Sequence, residues 1–200
     1  MMAMAMSPVF PRSREGASPA PLDEGTIARC RAQDPMAFRA FVVRYERMVF
    51  ALLSRMLGRR PEVEDLAQEA FVRAYRAFPD FDPRGPAKAS TWLLTIATRL
   101  ALDARKKARR ETPLDEANEP VSPSTPELSL ERRDLGTAIV EAAMALPDDQ
   151  RAALVLAEMH GLSIAEIAAA LDVPENTAKT RLFRAREKMR AALQNEWRTP

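Results

Sequence analysis

Over several stretches, apolar residues recur at the i, i+3, i+4, i+7 spacing that gives a helix one buried face. In 63–78 the series is Val63, Leu66, Ala67, Ala70, Phe71, Ala74 and Phe78. In 35–57 it is Phe38, Phe41, Val42, Tyr45, Val49, Leu52, Leu53 and Met56, closed by the helix stops Gly58 and Pro61. The run Pro79-Asp80-Phe81-Asp82-Pro83-Arg84-Gly85-Pro86 is too rich in proline and glycine to be helical. Beyond it, Leu93, Ile96, Ala97, Leu100 and Ala104 predict a helix over about 90–109. The second half divides into four helices. One covers about 128–145. The next opens at Pro147, with Asp148 and Asp149 favouring the positive end of the helix dipole, and stops at Gly161. Ser163 and Glu166 have capping-box spacing and start a short helix through Leu171. Asp172-Val173-Pro174 breaks the chain, and a long helix follows to about 194. No stretch alternates as a strand does, so the predicted class is all-α.

Proline places the boundaries. Pro8, Pro11, Pro19 and Pro21 fall in one window without apolar periodicity, and Pro113, Pro120, Pro123 and Pro126 in another. These predict a disordered extension at 1–24 and a flexible acidic linker at 111–127. Two small helical domains remain, 25–110 and 128–200. A hydrophobic fraction of 46% rules out a wholly disordered chain, and no apolar run reaches the ~20 residues of a membrane span. The Met-rich start lacks the apolar core of a signal peptide. One cysteine, Cys30, and one histidine, His160, are too few for a disulfide or a structural zinc site, so the expected setting is reducing and cytoplasmic.

Charge changes the picture by its distribution. Residues 99–110 carry six bases against Asp103, 111–134 carry seven acids against two bases, and 175–190 carry six bases against two acids. Of 30 basic residues 25 are arginine, whose planar fork suits phosphate and guanine edges. Two basic tracks separated by an acidic one point to two nucleic-acid-facing surfaces. Segment 163–194, a short helix, a turn and a longer basic helix, has the helix-turn-helix arrangement. On a wheel turning about 100° per residue, Ala178, Leu182, Ala185, Met189 and Leu193 form the core stripe. Asn176, Thr180 and Phe183 stand opposite, between shoulders of Lys179, Arg186 and Arg190 on one side and Thr177, Arg181, Arg184 and Lys188 on the other. A small polar centre between basic shoulders suits base edges flanked by phosphates. The competing account is an amphipathic helix with solvated arginines. In the 90–109 helix, Thr91, Thr95, Thr98, Arg99, Leu102 and Lys106 lie away from the core stripe. Trp92 sits beside the Pro/Gly loop, as a stacking platform or as a core residue.

Val63-Glu64-Asp65-Leu66-Ala67-Gln68-Glu69-Ala70-Phe71-Val72-Arg73-Ala74 resembles the core-polymerase-binding motif of bacterial sigma factors. Thr91-Trp92-Leu93 through Ile96-Ala97 and Ala101-Leu102-Asp103 is similar to their promoter-melting segment. Leu146-Pro147 through Gly161-Leu162-Ser163, and Val173-Pro174-Glu175 through Arg186, resemble their C-terminal helix-turn-helix. With two such regions over about 35–195, the similarity is to the extracytoplasmic-function group of the sigma-70 family. The resemblance implies that Asp65, Gln68, Glu69 and Arg73 bind core polymerase. It implies that Arg84, Lys88, Ser90, Thr91, Trp92, Thr95, Arg99, Arg105 and Lys106 bind and melt the −10 element. Asn176, Thr177, Lys179, Thr180, Arg181, Phe183, Arg184 and Arg186 then bind the −35 element. The implied partners are core RNA polymerase (the clamp coiled coil of the β′ subunit and the flap of β), promoter DNA as duplex and single strand, and an anti-sigma factor. No cofactor, small-molecule substrate or membrane insertion is expected. Arg99 stands where many members carry asparagine, and Asn176 where glycine is common, which leaves the promoter sequence open.

No nucleophile–base pair, phosphate loop or metal cluster marks the chain as an enzyme. His160, just before Gly161, is expected to complement the helix dipole, Cys30 to be a small packed residue, and Asp148 and Asp149 to mark a helix start. The alternatives are an ordinary helix-turn-helix repressor or activator with 25–110 as a dimerisation or sensor domain, and a protein-binding adaptor. The first leaves the polar face from Asp65 to Arg73 without a use; the second leaves both basic tracks without one.

Overall fold

The computed structural model describes residues 19–58, 60–85, 87–111 and 130–196, the side chains of 130–135 and 195–196 excepted. The described residues form α1 (Glu24–Arg31), α2 (Pro35–Leu57), α3 (Glu62–Ala77), a short 3-10 turn (Phe78–Asp80) and α4 (Ala89–Glu111). After these come α5 (Leu130–Met144), α6 (Asp148–Glu158), α7 (Ile164–Leu171) and α8 (Glu175–Glu196). No strand occurs among them, and the class is all-α.

Local chemistry sets the helix ends. Pro35 opens α2, and the Asp34 carboxylate accepts from the amides of Met36 (2.8 Å) and Ala37 (3.3 Å). Gly58, at φ 79°, takes the left-handed turn that ends α2. The predicted capping box opens α7: the Ser163 amide donates to Glu166 Oε2 (2.9 Å) and the Glu166 amide to Ser163 Oγ (3.3 Å). Pro147 lies one residue before α6, and α6 ends at Glu158, ahead of the turn to Gly161. Helix α1 was not anticipated. Asp23 caps it through the Thr26 amide (2.8 Å), Ile27 and Cys30 are its buried residues, and Leu22 packs against the core. The last residues of the extension predicted for 1–24 are therefore structured; the rest of that extension and the predicted linker beyond Glu111 lie outside the described residues.

Helices α2, α3 and α4 pack around Phe41, Phe71, Phe78 and Phe81, with α1 on one end. Helices α6, α7 and α8 form the second group, and α5 lies on α8. The groups are joined: α7 runs along α4, α6 meets α2 and α4, and the buried side chains form one continuous cluster. Helix α4 is thus covered twice. Its predicted stripe is buried at Leu93, Ala97 and Leu100, but so are Leu94, Thr98 and Ala101. Thr91 and Thr98, placed by the spacing on the outer face, are inside because α7 packs across them. That helix buries Ile167, Ala168, Ala170 and Leu171, and its alanines permit a close approach.

Candidate functional site

The joint between the two groups turns on Arg151, whose side chain is 1% exposed. Its Nε donates to the Ala143 carbonyl (3.0 Å) and its terminal nitrogens to Met144 (2.7 Å), Leu146 (2.9 Å) and, across the joint, Met56 (2.7 Å). These carbonyls lie at or just past the ends of α5 and α2, where helices leave acceptors unpaired and favour a cation. Burial, with Arg105 close by, pushes the Arg151 pKa down to about 10, so it remains charged near neutral pH. Nothing in the local sequence signals a fully buried arginine.

Around it, residues assigned to the −10 element are engaged with the second group. Arg105 Nε donates to Asp148 Oδ1 (2.9 Å), and Arg109 pairs with Asp148 Oδ2 (3.2 Å). Arg99 donates to the Ala169 carbonyl (3.3 Å) and Thr91 Oγ1 to Glu166 Oε1 (3.0 Å). Burial pushes the Glu166 carboxyl up, but hydrogen bonds from Ser163 and Thr91, with Lys88 nearby, outweigh it and hold the pKa below the ordinary value. Thr95 Oγ1 bonds the Thr91 carbonyl within α4, and Ser90 is buried, while Arg84, Lys88 and Lys106 stay exposed. Trp92 is half-buried, edge-on to Phe78 (5.1 Å) and tilted on Phe81 (5.0 Å). Asp148 and Asp149 do occupy the first turn of α6, but Asp148 also holds Arg105 and Arg109 of α4, and Asp149 holds Arg181 of α8. That role was missed, because only the fold brings those arginines near.

On α8 the predicted stripe is buried at Ala178, Leu182, Ala185 and Met189, and Asn176, Lys179, Thr180, Phe183 and Arg184 are exposed. Phe183 is 63% exposed, an unusual cost for an aromatic ring in water. Thr180 Oγ1 donates back to the Asn176 carbonyl (2.8 Å), and Arg186 donates two bonds to Glu158 Oε1 (2.9 and 2.6 Å). Half-buried Arg181 is tied to Asp149 through Nε (2.9 Å). Asp149, Gln150, Asn176, Thr177, Thr180, Arg181 and Arg184 line an open cleft of about 330 Å³ between α6 and α8.

Helix α3 presents the third surface. Val63, Ala70, Phe71 and Ala74 face inward; Asp65, Gln68, Val72 and Arg73 are exposed, and Glu69 accepts from Arg73 Nε (2.7 Å). Val72 is an apolar residue in the middle of this polar face.

His160 departs from its expected role. It is buried, neither ring nitrogen has a hydrogen-bond partner among the described residues, and burial together with Arg55 pushes its pKa down to about 4. A neutral imidazole brings no charge to the helix dipole; packing rather than electrostatics holds it there. Cys30 is buried, and burial raises its thiol pKa. Among the described residues no group of three or more His, Cys, Asp or Glu could hold a metal, and no helix is long and apolar enough to cross a membrane.

Comparison with known proteins gives two family matches, sigma-70 region 2 over residues 27–111 and sigma-70 region 4 over 137–189. The chain is 35% identical over 176 residues to the ECF RNA polymerase sigma-E factor of Escherichia coli K12, covering 82% of this chain and 91% of that protein. It is 33% identical over 185 residues to the RNA polymerase sigma-H factor of Pseudomonas aeruginosa, covering 86% and 94%. A solved structure of CnrH in complex with the cytosolic domain of CnrY superimposes with a TM-score of 0.62 at 27% identity, over 86% of this chain and 97% of CnrH.

Proposed function

The chain belongs to the sigma-70 family as a factor of the extracytoplasmic-function type, and from that premise we propose how its residues divide the work of promoter-specific initiation. A factor of this family binds bacterial core RNA polymerase, recognises the −35 and −10 elements and assists melting between them. The observation that carries the division is the coexistence of three surfaces on separate helices: a polar face on α3, a threonine–arginine face on α4 and a basic face on α8.

Asp65, Gln68, Glu69 and Arg73 dock on the β′ clamp coiled coil, with the exposed Val72 as an apolar anchor among them. Arg181, Arg184, Lys179 and Arg186, with Asn176, Thr177, Thr180 and Phe183, take the −35 duplex, the arginines on base edges and phosphates and Phe183 on a thymine methyl. Arg84, Lys88, Ser90, Thr91, Trp92, Thr95, Arg99, Arg105 and Lys106 take the −10 element as its bases leave the stack. The two parts are the segments flanking 111–127, with 25–110 carrying the −10 work and 128–200 the −35 work. The bond-making chemistry belongs to the polymerase, and the factor works beside it in the cytoplasm.

Because Thr91, Arg99 and Arg105 are spent on α6 and α7, −10 binding requires the two groups to part, and the arrangement described is the resting one. A second protein that grips both groups would prolong it. CnrH is solved with a cytosolic protein domain bound, and for a factor of this family the fitting partner class is an anti-sigma factor. The test is transcription in vitro with purified core polymerase and templates selected from a randomised promoter pool. Initiation at fixed start sites only when the factor is added supports the proposal; uniform, factor-independent initiation refutes it.

A further inference from the structure

Within the recognition helix, Arg181 differs from its neighbour Arg184. Arg184 is exposed at the mouth of the α6–α8 cleft, whereas Arg181 is half-buried and its Nε is fixed on Asp149 Oδ2 at 2.9 Å. Asp149 belongs to α6, outside the recognition helix, and its other oxygen accepts from the Gln150 amide (2.9 Å), so the carboxylate is itself held at the start of that helix. One of the five guanidinium donors is therefore used inside the protein, and the terminal nitrogens are left for a ligand. We infer that Asp149 is a positioning residue for −35 recognition, which aims the Arg181 fork before DNA arrives. The inference rests on the proposed role of α8.

The physical argument turns on sign. A carboxylate beside a DNA-binding helix repels phosphates, so on charge alone its removal tightens binding to every duplex. A carboxylate that restrains a long side chain lowers the ordering cost of each bond the fork makes, so its removal weakens binding where that fork reads a base. The two effects oppose each other and fall on different sequences. A purely structural role, through the first turn of α6, would lower thermal stability and act equally on all DNA.

The test uses holoenzyme reconstituted from core polymerase and the full chain carrying Asp149→Asn, Asp149→Glu, Arg181→Ala or Asp149→Asn with Arg181→Ala. The probes are a promoter duplex selected by the parent holoenzyme and the same duplex with its −35 hexamer scrambled. Positioning predicts that Asp149→Asn lowers the preference for the selected duplex by about tenfold at unchanged melting temperature. It also predicts partial recovery with Asp149→Glu and no effect of Asp149→Asn once Arg181 is alanine. Tighter binding to both duplexes, or an equal loss in both Arg181 backgrounds, overturns the inference. If Arg181→Ala costs selectivity and Asp149→Asn does not, only the Asp149 assignment fails. If Arg181→Ala costs nothing, the α8 reading of that residue fails and takes this inference with it.

Discussion

Replacing Asp148 by asparagine should open the molecule. The side chain is 12% exposed and receives Arg105 at 2.9 Å, Arg109 at 3.2 Å and Arg151 at 3.6 Å. Arg151 lies in the same group as Asp148 and stays beside it when the groups part, so the Asp148–Arg151 pair adds nothing to docking. Only Arg105 and Arg109 cross from α4. The Arg105 pair is partly buried on both sides and falls between the exposed and buried limits, at about 1–3 kcal/mol. Arg109 is 63% exposed and adds about 0.2–1 kcal/mol. A net loss of about 2 kcal/mol shifts the ratio of closed to open chain by about 30-fold. Asparagine keeps the size and remains a good helix-start residue, so α6 should survive. Two measurements follow: small-angle scattering for dimensions, and affinity for a single-stranded −10 oligonucleotide selected by the parent holoenzyme. The variant should expand and bind the oligonucleotide more tightly, and the gain should shrink in 1 M salt, where screening weakens the parent's Arg109 pair. Unchanged scattering together with unchanged affinity at low salt would refute the reasoning.

Reversing charge at Asp65 and Glu69 should abolish capture by core polymerase while circular dichroism keeps the parent helicity, since both side chains lie opposite the buried face of α3; normal affinity in the double variant removes that assignment. Trp92→Ala should impair opening of a double-stranded promoter and be partly rescued by a template already unpaired at the upstream edge of the bubble, whereas Arg184→Ala should not, because its target stays duplex; equal rescue of both means the division of labour is wrong. His160, with its pKa lowered from 6.5 to about 4, contributes stability that is complete above about pH 6.5 and lost as pH falls toward 4, on the order of 3 kcal/mol in all. Urea midpoints measured over that range should slope for the parent and flatten for His160→Leu; parallel slopes would place the titrating group elsewhere.

The helices with a single strong stripe were legible from spacing: α2, α3 and α8 each repeat apolar residues against one face, and Gly58 and the Ser163–Glu166 pair mark ends by chemistry that acts within a few residues. Helix α1 escaped because Ile27 and Cys30 are its only buried residues among exposed arginines, too few to set a period. The joint escaped for a different reason. Its contacts run between distant positions, Met56 with Arg151 and Thr91 with Glu166, and its surfaces are built from threonines and alanines that a pattern of large apolar side chains does not register. The candidate DNA residues could be selected by charge and wheel position. Which of them are occupied by the protein itself depended on where α6 and α7 come to rest.

The division of the Glu166 carboxylate has a kinetic consequence. One oxygen, Oε2, closes the cap on Ser163, while the other, Oε1, takes the bond from Thr91. Arg151 is divided in a similar way: three of its four carbonyl partners travel with it, and only Met56 is left behind. Separation therefore breaks bonds that water can replace and exposes the apolar side chains shared between the groups, but it melts no helix. Such a motion belongs to the microsecond-to-millisecond range of rigid-body displacement rather than the slower range of local unfolding. A joint that opens in that range would re-equilibrate many times during the life of a long-lived protein complex, and control over it would then act on how often it stands open, not on how fast it opens.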